Sequence, residues 1–381
     1  MVLLLILGGL MYYIMFPKFY IDYMDTGEDN GAQYDLALQW ADKYGNTLDD
    51  SECEQIAEEA ESEKASFSSQ IASVPEAASY GISSYEEFIS FKEEYLNALE
   101  SSSEEVDEDI DKFLADVSSK TNFMQIQAMD ETLLLHDKVS TTSFASTAED
   151  ISENEASRLT ELDNSEIKYG FIPAAILDAT TGLITAFVIW IAISIIVLLS
   201  PTIVRDRLNR VQNLQYPSKA GRRIFSVQVV ASLISGILLT VVNCLALGLI
   251  LLAKGVLVFK DFYLFGGEYI PWVDWTYGKY LLVIALMSLA IGISVTLLTV
   301  FFSRFSKTYI GMLLKGTLLM VALINYFGML PLITRPFYMF NPMGLQLHFK
   351  GQEFVFLFIL ILISITLIGT SLISHRKKEL I

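Results

Sequence analysis

Six long uncharged runs constrain this chain more than any other feature. They occupy residues 1–16, 179–204, 224–253, 280–303, 316–334 and 354–375 of the 381-residue sequence. A bilayer core about 30 Å thick needs roughly 20 apolar residues in helical form, and five of the runs reach or approach that length. The first, MVLLLILGGLMYYIMF, is short. Only 18% of the residues are charged, against about 25% in a soluble domain. The expected fold class is an all-α polytopic membrane protein, with six transmembrane helices and a mainly helical extracellular domain. The expected spans are 1–18 and then about 179–200, 224–253, 280–303, 309–333 and 354–375.

The charges are as unevenly spread as the apolar residues. The chain has 44 acids and a formal net charge of −18, and 37 of the acids lie within 19–170, beside only eight Lys and Arg. A polar acidic domain, 19–176, is thus inserted between the first span and the membrane remainder, 177–375, which ends in a short tail, 376–381. Basic residues in short loops mark the cytoplasmic side. The stretch SPTIVRDRLNRVQNLQYPSKAGRR, 200–223, carries six bases and one acid. The turn SRFSKTY, 303–309, and the tail HRKKELI, 375–381, are also basic. Six spans place these three sites on one side. The expectation is a multi-pass plasma-membrane protein, bacterial in type, with 201–223 cytoplasmic and 19–176 extracellular.

The first run lacks the basic leader and small-residue cleavage site of a signal peptide, so it is expected to be an anchor. The sequence opens abruptly inside it, which points to a late start or a missing upstream cytoplasmic segment. Tyr12, Tyr13, Phe16, Phe19, Tyr20 and Tyr23 suit an interfacial aromatic belt.

Within the acidic domain, apolar residues recur at helical spacing. Cys53, Ile56, Ala60, Phe67 and Ile71 form one stripe; Phe88, Phe91, Tyr95 and Leu99 a second; Val106, Ile110, Phe113, Leu114 and Val117 a third, with Ser103 as its expected N-cap. A slender helical bundle follows. The polar stretch 142–168 reads as a helical stalk leading to the second span. The acidity serves solubility, or provides a field that attracts cationic ligands.

Chemistry-bearing motifs are missing. There is no GxxxxGK[ST] loop, no HExxH and no GxSxG, and His136, His348 and His375 fall in separate regions. LFGGE at 264–268 has no nucleotide fold around it and reads as chance. Cys53 and Cys244 lie in different environments, and no CxxC or zinc spacing occurs. No catalytic residue, metal ligand or nucleic-acid partner is expected. Polar residues within the spans are sparse: Asn243, Lys315 and Asn325 are candidates for a translocation path, although Lys315 could instead snorkel to the cytoplasmic interface. Ser232/Gly236 and Ser288/Gly292, each pair at i, i+4, suit close helix packing.

The basic loop carries more than charge. Ser200 and Pro201 read as a helix start. Val204, Leu208 and Val211 then share one face, and Asp206 and Arg210 can pair at i, i+4. Charge alone is explained by contact with anionic lipid; a capped amphipathic helix also suits docking to a cytoplasmic partner.

The order of elements is one span, a large outside insert, a span ending in this helix, the turn P-S-K-A-G-R-R, then four more spans. It resembles the permease subunit of a type-2 (type V exporter fold) ATP-binding-cassette transporter, over 1–18 and 177–375. The resemblance implies that 201–214 is the coupling helix seated in an ATPase cleft. Val204, Arg205, Asp206, Leu208, Arg210 and Val211 would make that contact, and Ser218, Lys219, Gly221 and Arg222 would form the turn. TRPFYMFNPMGLQLHF, 334–349, matches the family's outside helical re-entry. Two departures stand out: family members begin with a cytoplasmic amphipathic helix before the first span, and often open the coupling helix on an acid, where this chain has Arg205 then Asp206. The implied partners are separate ATPase subunits holding ATP and magnesium, a second permease copy in a homodimer or heterodimer, and membrane lipids. The implied cargo is an amphiphile such as a peptide or antibiotic, exported. The rival reading is a non-transporting receptor or scaffold with an acidic sensor domain.

Overall fold

The computed structural model describes residues 7–8, 10, 31–101, 107–147, 152–208, 224–265, 270–321 and 350–378. Regular structure among them is helical, with an isolated antiparallel bridge between Thr47 and Gly170. The chain divides into two compact units. One holds Tyr20–Leu177 together with Asp261–Ile270; the other holds Met1–Phe19, Asp178–Lys260 and Pro271–Ile381.

The acidic unit begins with α1 (Gly31–Tyr44) and α2 (Asp50–Ile71). A capping box starts α2: Asp49 accepts from the Glu52 amide at 2.9 Å, and Glu52 accepts from the Asp49 amide at 2.8 Å. Its buried face is Cys53, Ile56, Ala60, Phe67 and Ile71, the stripe expected from spacing. Next come α3 (Tyr85–Ser101), α4 (Glu108–Lys120) and α5 (Phe123–Thr141). The N-cap of α4 is Asp107, which accepts from the Asp109 and Ile110 amides; a carboxylate one residue before the first turn takes the role expected of Ser103. Ser103 and Val106 lie outside the described residues.

An aromatic core joins these helices. Phe67, Tyr85, Phe88, Phe113 and Phe123 are buried together. Phe88 lies 4.9 Å from Phe123 and 6.0 Å from Phe113, both edge-on, the geometry that ring quadrupoles favour. Lys64 bridges to Asp130 at 3.1 Å, and Tyr85 donates to Asp130 at 3.2 Å. Burial first, then the Asp130 charge, raises the Tyr85 pKa, so this phenol stays a donor.

Residues 142–168 do not form a bare stalk. They fold into α6 (Phe144–Thr147), α7 (Glu153–Asp163) and a 3₁₀ turn (Glu166–Tyr169). Leu162 and Ile167 are buried in a second core with Val139 of α5 and Phe265 from far along the sequence. Polar composition hid this packing, because few apolar residues suffice when the partner surface comes from elsewhere in the chain.

The membrane unit contains α8 (Ala174–Leu208), whose first four residues belong to the acidic unit, then α9 (Ile224–Ala253), α10 (Tyr277–Arg304), α11 (Tyr309–Val321) and α12 (Gln352–Lys378). Among the described residues, four segments are long and apolar enough to cross a membrane: Gly182–Pro201, Ile224–Ala253, Tyr277–Arg304 and Gln352–Ser374. Of the other two expected spans, 1–18 is described only at residues 7, 8 and 10, and 309–333 only as far as Val321. Val227, Ile234, Leu238, Leu245, Leu249 and Leu252 form an exposed aliphatic face along α9. An apolar face of that length is compatible with lipid rather than water.

Candidate functional site

Three of the helix ends meet at one end of the bundle. Arg304, the last residue of α10, donates from Nη1 to the Ser371 carbonyl at 2.5 Å and to the Ser371 hydroxyl, tying α10 to α12. Its guanidinium also lies over the Phe225 ring, 5.2 Å from the centroid, at the start of α9. Phe225, Val229, Leu297, Val300 and Ile368 pack as one cluster just inside this tie. So α9 runs antiparallel to α10, and α12 runs parallel to it. The start of α9, the end of α10 and the last turns of α12 therefore gather at a common end. The use of Arg304 as a three-helix tie was not expected from the sequence. Its signal in the sequence was only that it closes an apolar run, a position where a cation also favours the helix C-terminus.

Lys315 belongs to the same end. Its ammonium donates to the Phe305 carbonyl at 3.1 Å and to the Ser306 hydroxyl at 3.2 Å. It covers the carbonyl of Phe305, the C-cap residue of α10. These contacts hold the Lys315 ammonium at the turn between α10 and α11. Ser303 and Ser306 also reach the Met312 sulfur, closing the turn between α10 and α11.

The second span differs from the expectation at its end. Ser200 and Pro201 do not start a new helix: α8 continues through Pro201 to Leu208, a single helix of 35 residues. Proline cannot donate to the carbonyl four residues back, and membrane helices tolerate this where neighbouring groups adjust. The Ser200 hydroxyl turns back to the Ile196 carbonyl at 2.5 Å. It is thus an interior residue of the helix rather than its cap. The apolar run extends past the proline through Ile203 and Val204, so the local start signal lost to continued helical packing. Val204 is 1% exposed, so it is covered by this chain and does not present a free docking surface. Arg205, Asp206 and Leu208 continue the helix; Arg210, Val211, Ser218, Lys219, Gly221 and Arg222 lie outside the described residues, as does the expected re-entry at 334–349.

Small residues let α9 and α10 approach closely. A Cβ placed on Gly236 of α9 would lie 2.1 Å from the Thr296 hydroxyl of α10, and one on Gly292 of α10 would lie 2.3 Å from the Thr240 hydroxyl of α9. The two helices thus interlock reciprocally, each threonine seated on the other's glycine. Ser232 and Ser288 are buried on the same faces, as the i, i+4 spacing led us to expect. Asn243 is buried beside them, and its amide donates to the Leu239 carbonyl of its own helix at 2.8 Å. Asn243 and Lys315 both spend donors on backbone carbonyls, and the structure does not bring them together. Asn325 lies outside the described residues.

In the acidic unit, Asp163 is a carboxylate engaged by three donors. It accepts from the Ser143 hydroxyl at 2.6 Å and from the Phe144 and Ala145 amides at 2.9 and 3.2 Å. Burial opposes its ionisation, but these three donors outweigh it and hold its pKa below the ordinary value. Cys53 and Cys244 are both free thiols. Among the described residues no group of three or more His, Cys, Asp or Glu is placed to hold a metal ion. None of the protein families, curated proteins or solved structures compared with this chain matches it.

Proposed function

We propose that this chain is the permease subunit of an ATP-binding-cassette exporter, driven by separate ATPase subunits that dock at the basic end of the bundle. The observation that carries the reading is the continuous α8. At 1.5 Å per residue its 35 residues extend for about 52 Å, against a hydrocarbon core of about 30 Å. Its apolar crossing ends at Pro201, and seven further residues continue as helix into the basic loop. A push on 205–223 would therefore be passed to the crossing through unbroken helix instead of a flexible joint. Arg304 and Lys315 would brace the neighbouring helix ends against that push. ATP and magnesium would be held by the partner subunits, and the cargo would be an amphiphile, a cationic peptide being suited to the acidic unit.

The test is co-purification of an ATPase with the full chain, followed by Leu208→Asp and Arg210→Glu. Loss of the ATPase with the chain still folded supports docking at this loop. Retention of the ATPase and of export in both variants refutes it. A chain that binds no ATPase but responds to an external ligand would be the receptor that forms the rival reading. Val204→Asp is unsuitable here, because a buried site reports on folding.

A further inference from the structure

Helices α9 and α10, both within the membrane unit, carry the same motif. Ser232, Gly236 and Thr240 recur at i, i+4 and i+8 on α9, and Ser288, Gly292 and Thr296 recur at the same spacing on α10. All six are buried. Such a row is one ridge of a helix surface. Because the helices are antiparallel, two like ridges meet head to tail.

The contacts fix their register. The Thr296 hydroxyl is 2.1 Å from where a Cβ on Gly236 would stand, and the Thr240 hydroxyl is 2.3 Å from where one on Gly292 would stand. Each threonine therefore faces a glycine, and the two motifs lie one turn out of step. This seat leaves hydroxyls unmatched. Ser288 Oγ and Thr296 Oγ1 are buried without a hydrogen-bond partner, whereas Thr240 donates to the Gly236 carbonyl of its own helix at 2.9 Å. Unpaired buried hydroxyls are costly and uncommon in native folds, so the two on α10 call for a reason.

Sliding α9 along α10 by one turn supplies one. Four residues at 1.5 Å each amount to about 6 Å. Gly236 then faces Gly292, Ser232 faces Thr296, and Thr240 faces Ser288. Thr296 gains the Ser232 hydroxyl. Ser288 can donate to Thr240, whose oxygen keeps a lone pair while its proton stays on the Gly236 carbonyl. Glycine against glycine preserves the close approach. At the Arg304 end, the slide carries Phe225 one turn inward, off the guanidinium that lies 5.2 Å from its ring. Packed elements can ratchet past one another by a whole turn in this way.

We infer that the α9–α10 pair is a two-register device. The glycine–threonine interlock is one seat, and a one-turn slide of α9 that brings the two motifs into step is the other. The inference is independent of any ATPase partner and of the acidic unit.

Disulfide trapping in the full chain, in membranes and with Cys53→Ala as background, tests it. Native Cys244 with Ser288→Cys lies one turn beyond the Thr240–Gly292 contact and reports the interlocked seat. Thr240→Cys with Ser288→Cys, in Cys244→Ala, reports the slid seat. A disulfide needs Cα atoms within about 7 Å, which a one-turn offset denies to the pair in the wrong register. Both disulfides should form, 244–288 the faster. Gly236→Ala sets a methyl against Thr296 in the interlock but only against Gly292 in the slid seat. It should speed 240–288 several-fold and slow 244–288. Adding Gly292→Ala sets methyl against methyl in the slid seat and should abolish that gain. The device is refuted if 240–288 never forms while 244–288 does. It is equally refuted if Gly236→Ala speeds both pairs alike, which is loosening without a second seat. Should Gly236→Ala fail to fold, the glycine parent decides: trapping accumulates even a minor register, so absence of 240–288 over the time in which 244–288 completes refutes the device, and its appearance supports it.

Discussion

The glycine–threonine interlock between α9 and α10 makes a quantitative demand. In Gly236→Ala, the new methyl would lie 2.1 Å from the Thr296 hydroxyl and 3.2 Å from both Cβ and Cγ2 of Thr296. The optimum for a carbon–carbon contact is about 3.5 Å. Turning Thr296 about χ1 can move its hydroxyl away but leaves its Cβ 3.2 Å from the new methyl, so the helices must still shift. Overpacking of this kind costs about 1–3 kcal/mol. Helix propensity works in the opposite direction, favouring alanine over glycine by about 1 kcal/mol in a helix interior. The net loss for Gly236→Ala should therefore be about 1 kcal/mol, and larger for Gly236→Val. Truncating the opposing side chain relieves the clash, so Thr296→Ala should rescue Gly236→Ala, with a coupling of about 1 kcal/mol or more in a double-mutant cycle. Reversible unfolding in mixed micelles, followed by the tertiary signal, measures all four corners. Neutral single variants, or additivity across the cycle, would show that α9 and α10 do not approach as closely as described.

Other consequences concern individual side chains. Asp163→Ala removes the acceptor for the first two amides of α6 and should destabilise the acidic unit by about 0.5–2 kcal/mol, the usual cost of losing a helix cap. Because the folded pKa of Asp163 is depressed, its contribution is complete above the ordinary value of 3.8 and disappears as pH falls through the lower folded value. The gap between wild type and Asp163→Ala should be flat from pH 7 to 5 and shrink only below about 4 in acid-unfolding curves. Cys53 is buried, and its thiol is pushed up to about 11, by burial first and then by the Asp50, Glu52 and Asp49 charges. The thiolate is the nucleophile, so maleimide should modify Cys53 at pH 7 only as the unit unfolds, and rapid labelling of native protein would contradict its burial. Arg304→Ala should loosen the common end of α9, α10 and α12, read as faster exchange at 224–229 and 368–374; Arg304→Lys, lacking the planar fork, should restore it only in part.

Much of the membrane unit was legible because its apolar runs end sharply. The run 224–253 is α9 to the residue, and 280–303 lies within Tyr277–Arg304. In the acidic unit the stripe on α2 was legible for the same reason, since all five residues face one core. Three features were not legible. The Ser200–Pro201 start failed because cap preferences are local, whereas the helix is held by packing on both sides of the proline. Asp107 displaced Ser103 as a cap because both types suit the role, and only the tertiary position of α4 decides between them. The third feature was the segment around Phe262 and Phe265. Its aromatic run was visible, but its partners Phe144, Ile167 and Phe171 lie about a hundred residues earlier, and spacing along one segment carries no record of them. The candidate path residues fared similarly: the polarity of Asn243 and Lys315 was evident, but not the backbone carbonyls that absorb it.

The arrangement of the chain across the membrane is open to one direct measurement. In a background of Cys53→Ala and Cys244→Ala, Ser69→Cys reports on an exposed position of the acidic unit, and Lys307→Cys on an exposed position at the basic end. With an impermeant maleimide on intact cells, the proposed topology predicts labelling of Ser69→Cys at once and of Lys307→Cys only after permeabilisation. Labelling of both from the outside, or of Lys307→Cys alone, would contradict it.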